Sequence, residues 1–188
     1  MKRVGKFEKV SYEQFYHDIK EEFNGKWTDG EIEKMYKELE LPRRANKGDS
    51  GYDFFAPFTF DLAPNKVIRI PTGIRVFIDD GWFLGCVPRS GLGFKYSATL
   101  YNTIGVIDSR YVLSDNEGHI TCKICCRNTE GKTLYVEKGQ GYMQGIFLPF
   151  GITVDDQTTG TRNGGFGHSD KRKKDDNAPL PGQIKMSV

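Results

Sequence analysis

The sequence predicts an all-β fold, a sandwich, jelly roll or barrel, preceded by a helical hairpin. Three observations carry this. From Gly48 onward apolar residues come in short runs, at 58–62, 67–70, 74–78, 82–87, 98–101, 119–126, 133–136 and 142–150, each cut by Gly, Pro or Asp, the rhythm of many short strands joined by turns. Within one run Ile74, Val76 and Ile78 alternate with Arg75 and Phe77, the two-residue period of a strand with one buried face. Ahead of Gly48 the period becomes helical, and two capping boxes announce where each helix starts.

In the first box Ser11 stands three residues before Gln14, with Val10 and Phe15 at the two staple positions. Tyr12, Phe15, Tyr16, Ile19 and Phe23 then recur at helical spacing, so residues 11–23 are expected to form an amphipathic helix. The second box is Thr28 and Glu31, flanked by the staple Trp27 and Ile32; Ile32, Met35, Tyr36 and Leu39 share one face until Pro42 stops the helix. Residues 1–42 are therefore expected to form a helical hairpin whose apolar stripe packs on the chain's own core or on a sister subunit, with the hairpin on the outside of any assembly. In the β region Asp80-Gly81 offers hairpin chemistry between 74–78 and Trp82. Beyond Phe150 the strand rhythm ends, and from about residue 155 the chain is expected to be mobile unless a ligand orders it.

Length and composition bound the function. At 188 residues the chain has room for one ordinary domain and an appendage, and 37% hydrophobic residues supply a core. The 27 basic and 25 acidic side chains leave a net charge of +2, which argues against a nucleic-acid coat or a polybasic membrane binder. The longest apolar runs, such as 145–150, fall far short of the roughly 20 residues of a spanning helix. The basic start, Met1-Lys2-Arg3, meets Glu8 before any stretch of signal-peptide length, so secretion is not expected. Cys86, Cys122, Cys125 and Cys126 are expected as reduced thiols in a cytoplasmic protein, in the host cytoplasm if the source is viral. Strand alternation sends Cys122 and Cys126 to one face and Cys125 to the other, which disfavours a shared zinc.

Five segments ask for more than a structural explanation. Gly48-Asp49-Ser50-Gly51-Tyr52-Asp53 is a glycine-flanked turn presenting a carboxylate. Pro88-Arg89-Ser90-Gly91-Leu92-Gly93 gathers a guanidinium, a hydroxyl and backbone amides, a plausible oxyanion cradle. Asn102-Thr103-Ile104-Gly105-Val106-Ile107-Asp108-Ser109-Arg110-Tyr111 sets Asn, Asp and Tyr around an apolar strand. Gly139-Gln140-Gly141-Tyr142-Met143-Gln144 and the stretch 162–167, with Arg162 and Phe166, complete the set. Each alone is an ordinary loop.

In this order and spacing the five segments closely resemble the motifs of the trimeric deoxyuridine triphosphatase (dUTPase) family: G-Y-D, P-R-S-G-x-G, G-V-I-D-x-x-Y, a G-x-x-x-x-Q element, and an Arg before G-G-F-G. The resemblance spans roughly residues 41–170. It implies a jelly-roll β domain over 43–155, a C-terminal arm over 156–170, and a homotrimer with sites at its subunit interfaces; residues 171–188 lie outside the resemblance and are expected from their charges and prolines to form a flexible tail. The implied reaction is hydrolysis of dUTP to dUMP and pyrophosphate, which limits uracil in DNA and supplies dUMP for thymidylate synthesis. Asp108 would orient and deprotonate the water that attacks the α-phosphorus, and Asp53 would hold Mg2+ through its water shell. Arg89, Ser90 and Gly91 would line the phosphates with help from Gln144. Asn102 and the hairpin backbone would read the uracil edge, and Tyr111 would lie under the sugar. Arg162 would reach the γ-phosphate and Phe166 would cover the base.

The chemistry asks for such residues on its own terms. A triphosphate repels an incoming hydroxide, so a divalent cation and guanidinium groups must face its oxygens, and one ionised carboxylate suffices as general base. The chain departs from the family pattern at Gln140 and Gly141, where an acidic residue and Arg are common, and at Arg110, where Asp is common. The fifth motif is one residue shorter, and the turn 113–119 after Tyr111 is longer. Two alternatives stand beside the hydrolase. One is a nucleotide-switched regulatory protein of the same fold. The other is an enzyme like the dCTP deaminases, disfavoured because R-S-S-x-x-R is replaced here by Arg89-Ser90-Gly91-Leu92-Gly93-Phe94. His17, His119 and His168 receive no catalytic role, and the basic run 171–174, followed at once by Asp175 and Asp176, is expected to be solvated.

Overall fold

The computed structural model describes residues 1–159. Eleven strands and three α-helices account for most of them: β1 Gly5–Lys9, α1 Tyr12–Glu22, α2 Asp29–Lys37, β2 Tyr52–Phe55, β3 Phe60–Leu62, β4 Val67–Pro71, β5 Ile74–Ile78, β6 Trp82–Pro88, α3 Ser90–Tyr96, β7 Ala98–Leu100, β8 Gly105–Asp108, β9 Thr121–Cys126, β10 Leu134–Val136 and β11 Gly141–Pro149. A 3-10 turn, Ser109–Leu113, follows β8. All strand pairings are antiparallel, in sheets ordered β2-β11-β6-β8, β4-β9-β7, β1-β5 and β10-β3. This is the all-β architecture expected from the short apolar runs, jelly-roll-like as the family resemblance implied.

Both helices of the hairpin start where their caps place them. The Ser11 side chain accepts from the Gln14 N–H, and the Thr28–Glu31 capping box is complete, each partner satisfying a backbone donor of the other. The helix α2 ends at Lys37, earlier than Pro42 would have required. Phe15 and Ile19 of α1 and Ile32 and Met35 of α2 are buried in the same cluster as Ile70, Ile74, Leu84, Ile124 and Leu134 of the strands. The apolar stripe thus packs on the chain's own core.

Three elements differ from the sequence expectation. Residues 5–9 form a strand ahead of the hairpin, pairing Phe7 with Val76; with Lys6, Glu8 and Lys9 around a single buried Phe7, its apolar signal is too thin to read. Asp80-Gly81 does turn the chain, with Gly81 at φ +82°, but β5 and β6 then join different sheets instead of pairing as a hairpin. The Arg89-Ser90-Gly91 segment opens a short helix, α3, and not an irregular loop.

All four cysteines are buried and free. Cys86, Cys122 and Cys126 belong to the core cluster, whereas Cys125 lies outside it, its Sγ 3.1 Å from Thr99 Oγ1, as the alternation required. Burial pushes the Cys86 thiol up to about 12, so it stays protonated at neutral pH. Among the described residues no helix is long and apolar enough to cross a membrane.

Candidate active site

The first, second and fourth sequence segments meet at one carboxylate. Asp53 lies on β2 directly opposite Gln144 of β11, and only 8% of it is exposed. Gln144 Nε2 donates to Asp53 Oδ1 at 3.0 Å, and Arg89 Nε lies 3.3 Å from the same oxygen. The main chain of Asp53 is tied as well, exchanging N–H···O bonds with Arg43 at 2.9 and 3.3 Å.

A register shift between Gly141 and Met143 breaks the β2–β11 ladder beside this cluster, and such bulges re-aim backbone groups next to functional sites. Here the Gly141 carbonyl accepts from Arg89 Nη1 at 3.3 Å, and the Tyr142 carbonyl accepts from the Arg89 N–H, also at 3.3 Å. A Cβ at position 141 would lie 2.8 Å from Arg89 Nη1, so the small residue standing where Arg is common makes room for the guanidinium. Gln140 turns away: its Oε1 accepts from the Glu137 N–H at 3.1 Å. Beyond Arg89, Ser90 and Gly91 form the exposed first turn of α3, and the Cβ position of Gly91 faces open space.

The third segment lies at the edge of the same sheet. Asn102 is exposed in a tight turn in which Thr103 takes φ +70° and the Asn102 carbonyl accepts from the Ile104 N–H at 2.8 Å. The strand β8 then runs along β6 and delivers Asp108, exposed, to the start of the 3-10 turn. Arg110, where Asp is common, meets Asp80 across the gap: its Nη2 lies 3.6 Å from Asp80 Oδ2, and Ser109 Oγ donates to Asp80 Oδ1 at 3.3 Å. In the sequence Asp80 signalled only a turn. Tyr111 is buried; its hydroxyl donates to the His119 carbonyl at 3.2 Å and accepts from Asn116 Nδ2 at 3.0 Å.

The register on β6 separates the two groups. Asp108 pairs with Phe83, and Arg89 follows six residues further along; at about 3.3 Å per residue this places them roughly 20 Å apart within one chain. Asp53, Arg89 and Gln144 are brought together, and Asp108 is not brought to them. The apolar side chains around the β8 hairpin remain open, with Val106 53% and Leu113 65% exposed. Arg162 and Phe166 lie outside the described residues.

For a cation, the hard oxygens of Asp53 suit Mg2+, which keeps most of its waters and takes one or two carboxylates beside substrate phosphates. Among the described residues, Gln144 and Arg89 both contact Asp53 at Oδ1, and the carboxylate's second oxygen is the one that would meet the water shell of such an ion. His17, Asp18 and Glu21 also cluster, on α1, but Asp18 is already engaged by His119.

Comparison with known proteins agrees with the motif order. The family model for dUTPase matches residues 37–170. The deoxyuridine 5'-triphosphate nucleotidohydrolase of Lactococcus lactis subsp. lactis is 35% identical over 142 residues, covering 73% of this chain and 93% of that protein. The protein of the same name from Haemophilus influenzae strain PittEE is 35% identical over 147 residues, covering 74% and 93%. Among solved structures, the dUTPase of Streptococcus mutans superposes with a TM-score of 0.56 at 26% identity, over 78% of this chain and 97% of that one. A dUTPase from phage phi11 of S. aureus, described as coordinating a structural Mg(II) ion, gives 0.55 at 18% identity, over 84% and 98%; at that identity the likeness speaks for the fold.

Proposed function

The chain belongs to the dUTPase family and hydrolyses dUTP to dUMP and pyrophosphate, and on that premise we propose that its residues divide the work between the two ends of β6. The observation that carries this is the separation of Asp108 from the Asp53, Arg89 and Gln144 cluster along one strand. A bound nucleotide needs both, so one copy supplies the base and water side of a site and a neighbour supplies the phosphate side. The open apolar residues of the β8 hairpin support burial of that edge in a homotrimer.

On the water side, Asp108 accepts a proton from a water whose oxygen attacks the α-phosphorus. The bond from that phosphorus to the bridging oxygen breaks, and pyrophosphate leaves with the electron pair. Asn102 and the backbone of the β8 hairpin read the uracil edge, while the enclosed ring of Tyr111 sits against the sugar and leaves no room for a 2′-hydroxyl. On the phosphate side, Arg89 is held in direction by Asp53 and the Gly141 carbonyl, and its other N–H donors serve the phosphates together with Ser90 and Gly91. A guanidinium fixed in this way meets developing negative charge without first having to reorganise. Gln144 keeps Asp53 in place. Mg2+, held by Asp53 through water, would supply neutralising charge to the triphosphate. Arg162 and Phe166 are proposed to close on the γ-phosphate and base from the family motif alone. The reduced state of the four buried thiols supports a cytoplasmic location.

The test is product separation after incubating the purified protein and Mg2+ with each deoxynucleoside triphosphate and with UTP. Monophosphate and pyrophosphate from dUTP, with dTTP, dCTP and UTP left intact, is the expected outcome. Ammonia released from dCTP, or comparable turnover of all four, contradicts it.

A further inference from the structure

The turn after Tyr111 is held from behind by α1 through contacts between residues about a hundred positions apart. His119 is fully buried. Its Nε2 accepts from the Gly73 N–H at 2.7 Å; because an amide N–H only donates, the ring proton resides on Nδ1, which faces Asp18 Oδ2 at 2.5 Å. Burial works against the charge on Asp18, but hydrogen bonds from His119, His17 and Gln14 outweigh it and hold the carboxyl at about 2. A second tie lies two residues earlier. Glu117, at φ +56°, accepts from the Ser11 N–H at 2.9 Å and from Ser11 Oγ at 2.5 Å, at the cap of α1, and pairs with Arg75 at 3.3 Å. Between these residues Gly118, at φ +71°, leaves no space for a Cβ, which would lie 2.5 Å from Val112 Cα. The turn is thereby pressed onto the 3-10 segment that carries Tyr111.

The same turn holds the Tyr111 ring. The backbone carbonyl of His119 takes the Tyr111 hydroxyl, and Asn116 donates to it. We infer that Asp18 and His119 are positioning residues for sugar discrimination: α1, acting through them, fixes the turn that fixes Tyr111, and so keeps a ribose 2′-hydroxyl out. This rests on the reading that Tyr111 lies against the sugar. Nearly the whole hairpin precedes the span matched by the family model, which begins at residue 37. Releasing it lets the ring move away from the pocket. Deoxyribose tolerates that movement, whereas a ribose gains from it.

The experiment compares kcat/KM for dUTP and for UTP, and the affinities of their non-hydrolysable α,β-imido analogues, in full-length parent, Asp18→Ala, Asp18→Asn, Asn116→Ala and Tyr111→Phe. Asp18→Ala is expected to lower the dUTP-to-UTP ratio about tenfold, the range in which coupled contacts act, mostly through tighter use of UTP, with dUTP turnover changed less than about threefold. Asp18→Asn keeps an acceptor oxygen for Nδ1–H and should recover most of the ratio. Tyr111→Phe should lower the ratio too, and adding Asp18→Ala to it should change little, because both cut one chain of contacts. An unchanged ratio in Asp18→Ala, or full additivity with Tyr111→Phe, overturns the proposal. If Asp18→Ala does not fold, Asn116→Ala, which cuts the turn from the hydroxyl at a partly exposed position, must lower the ratio or the proposal fails. Tyr111→Ala separates this from the underlying reading: an unchanged ratio there removes Tyr111 from the sugar, whereas a changed ratio beside an inert Asp18→Ala removes only the brace.

Discussion

Asp53 gathers a hydrogen bond and an ion pair on one carboxylate oxygen, and that convergence places three separate sequence segments in one cluster. None of the three segments is informative alone, and the sequence carried their meeting only through the order of motifs. What the residues did not disclose were the partners: Asp80 under Arg110 and Ser109, and the Arg89 guanidinium that would crowd a side chain at Gly141. Both depend on contacts across 29 or more positions, which no local period encodes. Asp108→Asn is expected to keep the fold and nucleotide affinity but to lose at least about a hundredfold in turnover, because an amide does not take the proton from water. Single-turnover kinetics with calorimetric binding of an α,β-imido analogue check this; parent-like turnover would remove Asp108 from the base role.

At the scale of elements, the N-cap side chains Ser11 and Thr28 located α1 and α2 because each accepts from a backbone N–H three residues on, a local code; the box is completed only at Thr28, since the Ser11 N–H goes to Glu117 and not to Gln14. The strand β1 escaped because only Phe7 of its five residues is buried. His119 looked like a turn residue because its burial comes from α1, about a hundred residues earlier in the chain. The hairpin forms part of the core, so truncating it is costly: Phe15→Ala, at a fully buried position, is expected to cost about 3–5 kcal/mol in urea unfolding. Thr28→Ala, which removes the capping box, should cost about 1 kcal/mol. Asp18 adds a pH dependence. Its carboxyl is held at about 2 against an ordinary 3.8, so its contribution is full above the ordinary value and is lost as pH falls from there through about 2. The parent should therefore lose stability more steeply than Asp18→Asn over that window, by about 1 kcal/mol once partial solvent screening is allowed for. Parallel curves for the two proteins would show that the Asp18 charge contributes nothing.

For the whole molecule, the antiparallel sheets hold Asp108 and the Asp53, Arg89 and Gln144 cluster at opposite ends of β6 and leave the β8 edge apolar and open. That geometry explains why the fold class was legible in the strand rhythm, whereas the assembly was implied only by family resemblance: exposure of Val106 and Leu113 appears only once the sheets are formed. A trimer mass is expected by light scattering at concentrations that give full activity. Whether Asp108 and Arg89 act on one nucleotide from different copies is decided by mixing two variants. Asp108→Asn and Arg89→Ala are each expected to be nearly inactive. Co-refolded in equal amounts, they should regain about a quarter of the parent activity, the share of sites that draw each residue from an intact copy. Activity no higher than that of the two variants measured separately would mean that both residues serve a site within one chain, and would contradict the account.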